Sequence, residues 1–277
     1  VTVKTLLAMK RKGEKITIVT AYDYHSARIC DAAGVDAILV GDSLGMVIQG
    51  REDTLAVTVD EMVYHTSLVK RADPRALVIA DMPFLSFQTS PTDAVRNAGR
   101  MIKEGGAQAV KLEGGREFLE VVRVLTEASI PVMGHLGLTP QSIHRFGGYR
   151  VQGKTAEERE RLVEDARRLE RAGCFAFVLE GIPYDVAQEI TAAVEVPTIG
   201  IGAGPHCDGQ VLVFHDLLGI EDELSPRFVK RYAELNDVMI DAVARFRREV
   251  REGIFPDLDH SYGTKDRGAS RARSEED

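Results

Sequence analysis

The side chains of Asp42, Asp81, Lys111, Glu113 and Glu180 carry most of the chemistry this sequence offers. Each stands at, or just past, the end of a short apolar run. Ala37–Val40 precedes Asp42, Leu77–Ala80 precedes Asp81, Ala107–Leu112 leads through Lys111 to Glu113, and Cys174–Leu179 precedes Glu180. His135 follows Pro131–Gly134, Asp23 follows Ile16–Thr20, and His215-Asp216 closes Val211–Phe214. Carboxylates gathered this way repel one another and hold protons unless a cation offsets them. Oxygen donors suit a hard cation such as Mg²⁺, which takes one or two protein carboxylates and leaves its other positions to water and substrate. Asp42 and Asp81, on neighbouring runs, are the natural pair; Glu113, one run further, can bind directly or through water. Lys111 lies two residues before Glu113, so in a strand both share a face. There it can anchor a substrate carboxylate or, less favourably, form a Schiff base. Glu180, apart from the pair and flanked by Leu179 and Ile182, suits a general base. His135 could serve a softer metal, although a lone histidine here more readily makes a hydrogen bond near the site, and Asp23 and Asp216 can equally cap the helices that follow them.

Something must bring these ends together. The runs, with Thr198–Ile201 as the seventh, are rich in Val and Ile and lack polar alternation, as strands covered on both faces do. Between them, Ala94–Lys103, Glu117–Ala128 and Glu157–Ala172 have helical period, and Gly105-Gly106 and Gly173 act as stops. Repetition of strand and helix predicts an α/β protein, a (β/α)₈ barrel whose reactive groups converge on the C-terminal ends of its strands. The segment before the eighth run, Val211–Phe214, is short for a helix. Val3–Lys12 predicts an N-terminal helix capping the barrel bottom. Pro226–Arg251 predicts a long C-terminal helical extension with Phe228, Tyr232, Leu235, Met239 and Val243 near one stripe, packed on its own barrel or on another subunit. Gly200–Gly204 makes either a tight turn or a phosphate loop. Gly137–Gly153 is long for a strand-to-helix connection and fits a lid or binding loop. Residues 1–263 read as one barrel domain, and the charged stretch 264–277 as a disordered tail.

With 277 residues, 44% of them hydrophobic, the chain has the size of one such barrel, about 250 residues. A net charge of −8 argues against nucleic-acid or anionic-membrane partners. Cys30, Cys174 and Cys207 lack CxxC spacing, which argues against a disulfide framework or structural zinc and points to a reducing, cytoplasmic setting. No apolar run nears the roughly 20 residues of a membrane span, and Val1–Lys15 lacks a secretory pattern.

Beyond this physical reading, an ordered set of motifs resembles the ketopantoate hydroxymethyltransferase family. The set comprises Thr20-Ala21-Tyr22-Asp23, Gly41-Asp42-Ser43-Leu44-Gly45-Met46-Val47, Ala80-Asp81-Met82-Pro83-Phe84, Val110-Lys111-Leu112-Glu113-Gly114-Gly115, Gly134-His135 through Ser142, Gly148-Tyr149-Arg150-Val151-Gln152-Gly153, Gly200–Gly204, Asp208-Gly209-Gln210-Val211-Leu212-Val213 and His215-Asp216. The likeness runs from about Val3 to Tyr262. It implies a barrel of the phosphoenolpyruvate/pyruvate type and transfer of a hydroxymethyl group from 5,10-methylenetetrahydrofolate to 3-methyl-2-oxobutanoate, giving 2-dehydropantoate on the route to pantothenate and coenzyme A. It also implies Mg²⁺ (or Mn²⁺ or Co²⁺) on Asp42, Asp81 and Glu113; contact of Asp42, Ser43, Asp81 and Lys111 with the oxo acid; Glu180 as proton acceptor; and a homodecamer. His25, Arg51 and Ala56 depart from the family pattern. A carbon–carbon lyase of the same barrel type is the nearest rival, but its Lys-Lys-Cys-Gly-His signature is missing from this sequence. A non-catalytic barrel that only binds a metal–oxo-acid complex is the rival outside enzymes.

Overall fold

Parity within each strand decides what the interior of this protein contains. Leu77, Ile79 and Asp81 face one way along one strand; Ala109, Lys111 and Glu113 do so along the next. The computed structural model describes residues 1–220 and 226–263; the stretch expected to be a tail lies outside them. The first half runs α1 (Val3–Lys12), β1 (Ile16–Thr20), α2 (Tyr24–Ala32), β2 (Ala37–Val40), α3 (Leu44–Val47), α4 (Val59–Arg71), β3 (Leu77–Asp81), α5 (Pro91–Lys103) and β4 (Ala109–Glu113). The second half runs α6 (Leu119–Glu127), β5 (Val132–Gly137), α7 (Ile143–Phe146), α8 (Ala156–Ala172), β6 (Ala176–Glu180), α9 (Tyr184–Ala193), β7 (Thr198–Ile201), β8 (Gly209–Leu212), α10 (Phe214–Leu218) and α11 (Leu235–Glu252). Single 3₁₀ turns fill Arg116–Phe118 and Pro140–Ser142.

The strands pair in parallel in sequence order, and β8 returns to β1 to close the barrel. Two cores result. Inside, Ile18, Leu39, Ile79, Met133 and Val178 pack together, and Leu6 of α1 seals the N-terminal end. Outside, the opposite parity (Ile38, Val78, Val110, Phe177) packs against the helices. Capping boxes led by Thr2, Asp23, Thr58 and Thr155 fix where α1, α2, α4 and α8 begin.

Two expectations need correction. The eighth strand is Gly209–Leu212 rather than Val211–Phe214, and no helix joins it to β7. The chain turns back at once, with Gly202 and Gly204 at φ of 62° and 79°. Asp208 then pins the turn by accepting from the Thr198 N–H at 2.9 Å and pairing with Lys10 at 3.0 Å. Phe214 starts α10, where its N–H donates to Thr20 Oγ1. The C-terminal helix starts at Leu235, not Pro226. Residues 226–234 form turns, so Phe228 and Tyr232 are not on its stripe. No residue of α11 is buried, and Val238, Ile240, Val243 and Phe246 are each more than half exposed. Among the described residues no helix is long and apolar enough to cross a membrane.

Closure depends on Gly209. A Cβ there would press on the Ile16 carbonyl and stand 2.8 Å from both Ile16 Cβ and Ile199 Cδ1. Gly209→Ala is expected to cost about 1–3 kcal/mol through overpacking, read as a lowered thermal unfolding midpoint with the far-UV circular dichroism of the native state preserved.

Candidate active site

The inward parity that fills the barrel with Leu, Ile and Val turns polar at the C-terminal ends. Register sets Asp81 beside Lys111, Glu113 beside His135, and Gly137 beside Glu180. Asp42 and Ser43 follow β2, whose Val40 pairs with Ala80. Asp42, Asp81, Lys111, Glu113 and His135 are all buried, while the Glu180 side chain keeps 16% of its surface exposed. The residues singled out in the sequence therefore converge on one chamber, with the base candidate at its open edge.

Lys111 is the cation of this chamber. Its Nζ lies 2.7 Å from Asp81 Oδ1, 3.8 Å from Glu113 Oε1 and 3.1 Å from His135 Nδ1. Burial opposes its charge, but Asp81, Glu113 and Asp42 outweigh that and raise its pKa. Burial also works against ionisation of Glu113; His135, Lys111 and the Gln141 N–H prevail and hold its carboxyl below the usual range. Asp42 differs. Burial, then Asp81 and Glu113, push its carboxyl well up, and Lys111 and Gln141 compensate only in part. Burial also raises Asp81 in spite of Lys111. The unbalanced negative charge is thus on Asp42 and Asp81.

His135 stands between the chamber and Glu180. Its Nδ1 is 3.4 Å from Glu113 Oε1 and its Nε2 is 3.2 Å from Glu180 Oε2, close but not aligned for a hydrogen bond. Burial and the Lys111 charge oppose a second proton on the ring; Glu113 and Glu180 overcome them and raise its pKa to about 9. The contact from Lys111 instead asks Nδ1 to accept. Both protonation patterns put a proton on Nε2, so Glu180 faces a donor in either. The hydrogen bond with Lys111 Nζ is the kind of contact anticipated for His135.

Sequence reasoning missed two further groups. Tyr22, buried under the mouth, shares a 2.8 Å hydrogen bond between its hydroxyl and Ser43 Oγ, and burial raises its pKa. Gln141, in the 3₁₀ turn after β5, donates from its side chain to Asp42 Oδ2 at 2.9 Å and from its backbone to Glu113 Oε2 at 3.0 Å. Its signals in the sequence were its place in the family-like run from Gly134 to Ser142 and in a turn after a strand. The 138–153 loop crosses the mouth: Gln152 N–H donates to the Gly181 carbonyl, and the Tyr149 hydroxyl meets Met46 Sδ at 3.6 Å. Burial raises the Tyr149 pKa, and the charges of Asp53, Glu180, Asp42 and Glu113 add to it. Beneath the loop a cavity of about 350 Å³ opens beside Glu113, His135 and Gln141 and runs past Phe146 to Arg161.

Other candidates stay outside this centre. Asp23 is exposed and caps α2 through the Ser26 N–H, and His206 packs near the Tyr184 ring. In the Gly200–Gly204 loop, glycine is demanded by positive φ and by the approach of Phe228 and Tyr184. The departures His25 and Ala56 are exposed, whereas Arg51 ties to α4 through Glu61 at 3.3 Å.

Asp42 and Asp81 offer hard oxygen donors short of positive charge, which fits a divalent cation. Among the described residues no three His, Cys, Asp or Glu side chains close into a ligand cluster. The donors suit a pair-plus-substrate arrangement, with Glu113 engaged by His135 and Gln141.

The closed parallel eight-stranded barrel is an architecture found in solved structures of other enzymes. The chain superimposes on 2,3-dimethylmalate lyase, a member of the phosphoenolpyruvate mutase/isocitrate lyase superfamily (TM-score 0.60, 18% identity, covering 99% of this chain and 94% of that one), and on phosphonopyruvate hydrolase (TM-score 0.62, 14% identity, 99% and 98%). These likenesses define the fold. The profile of the ketopantoate hydroxymethyltransferase family matches residues 1–258. The 3-methyl-2-oxobutanoate hydroxymethyltransferases of Pelobacter propionicus and Methylococcus capsulatus are 60% and 61% identical, each over 95% of this chain and 97% of their own length. The chain belongs to the ketopantoate hydroxymethyltransferase family and is a transferase acting on small molecules.

Because Asp42 and Asp81 keep protons above the ordinary carboxylate range, near pH 4, the folded state binds more protons than the unfolded chain. Stability therefore falls as pH rises through the raised values. Lys111→Met removes the buried ammonium and steepens that fall. In metal-free buffer the loss should reach about 3–5 kcal/mol at pH 8 and be smaller at pH 5, measured by urea unfolding.

Proposed function

We propose that this enzyme transfers a hydroxymethyl group from 5,10-methylenetetrahydrofolate to 3-methyl-2-oxobutanoate, with the oxo acid held at Asp42, Ser43, Asp81 and Lys111 and its C3 proton taken by Glu180. The observation that carries this reading is the placement of Glu180 at the edge of a chamber whose opposite side bears the under-compensated pair Asp42 and Asp81. A divalent metal, Mg²⁺ by preference and Mn²⁺ or Co²⁺ as substitutes, would be held by Asp42 and Asp81, with Glu113 alongside, and would supply positive charge where the enolate oxygen develops. Phosphonopyruvate hydrolase, alike in fold, has been solved with oxalate and Mg²⁺.

The protein's own groups divide the remaining work. Lys111 sets a fixed ammonium beside Asp81, suited to a substrate carboxylate. Tyr22 holds the Ser43 hydroxyl in one orientation. Glu180, partly exposed and steered by the His135 Nε2–H, is free to accept a proton from carbon. The 138–153 loop limits water at the mouth, and the cavity beside Glu113 and His135 leaves room for the larger one-carbon donor. A homo-oligomer, a decamer by family resemblance, is supported by α11, none of whose residues is buried within the chain; the cytoplasmic setting is that expected from the cysteine usage.

Glu180→Gln is expected to retain oxo-acid and Mg²⁺ binding while C3 hydrogen–deuterium exchange slows by about 10²–10⁴; exchange at the wild-type rate would remove Glu180 from the base role. Product formation should require both the folate donor and a divalent ion, and stop with chelator. Paired Ile240→Asp and Val243→Asp changes should move the protein to a smaller species by light scattering, with barrel circular dichroism retained.

A further inference from the structure

The carboxylates of the chamber have their two oxygens treated differently. Gln141 Nε2 donates to Asp42 Oδ2 at 2.9 Å, the Gln141 backbone N–H donates to Glu113 Oε2 at 3.0 Å, and the Asp42 backbone N–H reaches Asp81 Oδ2 at 3.3 Å. Each of these bonds falls on a single oxygen. The other oxygen of Asp81 is 2.7 Å from Lys111 Nζ, the other oxygen of Glu113 is 3.4 Å from His135 Nδ1, and none of these bonds falls on Asp42 Oδ1.

Gln141 is itself held firmly. It is buried; its Nε2 also donates to the Met82 carbonyl at 2.9 Å, and its Oε1 accepts from Gln88 Nε2 at 3.1 Å. A flipped amide would set its oxygen against the Asp42 carboxylate and the Met82 carbonyl, and its donor against the Gln88 donor. One orientation is therefore selected, and with it one oxygen of Asp42 faces a fixed donor.

We propose that Gln141 is a metal-selectivity residue. By donating to one oxygen of Asp42 through its side chain and to one of Glu113 through its backbone, it disfavours two-oxygen binding of a cation by either carboxylate. Ca²⁺ favours larger coordination numbers and accepts two-oxygen carboxylates, whereas Mg²⁺ is small and takes carboxylates sparingly. Gln141 thus biases the site toward the small ion and, acting through Asp42, is a positioning residue. The proposal rests on the reading that a divalent cation binds at Asp42 and Asp81.

The test is calorimetric titration of substrate-free enzyme with Mg²⁺ and with Ca²⁺, together with Mn²⁺ electron paramagnetic resonance. Gln141→Met keeps length and removes the amide. It should weaken Mg²⁺ binding about ten-fold or more while Ca²⁺ binding holds or tightens, and the Mn²⁺ spectrum should change. Gln88→Met, which only releases the amide to flip, should shift the Mg²⁺/Ca²⁺ ratio in the same direction by a smaller factor. An unchanged ratio, or an equal loss for both ions, would overturn the proposal. If circular dichroism shows Gln141→Met unfolded, the Gln88→Met ratio decides. Wild-type enzyme that binds neither ion would overturn the metal reading itself, and the selectivity proposal with it; a wild-type preference for Mg²⁺ that both variants keep would overturn the selectivity proposal alone.

Discussion

Negative charge buried faster than it is neutralised is the constraint around which this protein is organised. Asp42, Asp81 and Glu113 are sealed inside the barrel rim with Lys111 as their cation and His135 beside Glu113. Desolvation makes every uncompensated charge expensive there. The protein distributes its compensation unevenly: Glu113 is well satisfied, whereas Asp42 is not. That unevenness marks the place where added positive charge gains most, so the cost to the folded chain and the attraction for a cation have the same origin.

The scaffold tolerates this because the rest of it is uncompromisingly apolar. Along the inward face of β3, Leu77 and Ile79 precede Asp81; along β6, Ala176 and Val178 precede Glu180. The lower barrel is a packed plug that holds the strand ends in register, and the charged layer sits on top of it. Fixed side chains need a rigid base to remain close without relaxing apart.

Much of this was legible before any coordinates. An apolar run ending in an acid, repeated along the chain, marks strand ends of a parallel barrel, and the two-residue spacing of Lys111 and Glu113 places both inside. Less legible were features that depend on where the chain turns. Helical period continues from Phe228 through Tyr232 into α11, yet the backbone bends across 226–234 and the helix starts only at Leu235. Strand β8 was displaced because Val211–Phe214 is more apolar than Gly209-Gln210, while pairing with Ile16 and Thr17 decides the register. Gln141 and Tyr22 escaped notice because an uncharged polar side chain announces no chemistry until its partners are seen. The family's own relatives, near 60% identity, secure the kind of transferase directly, while the barrel neighbours below 20% identity speak only for architecture.

α11 spans 18 residues and buries none of them, and a solitary helix of that length is only marginally stable in water. Among the described residues its support is local: the Asp241–Arg245 pair at 3.1 Å and the Gly253 cap at its end. In the homo-oligomer proposed above, dilution would loosen this end of the protein before it disturbed the chamber.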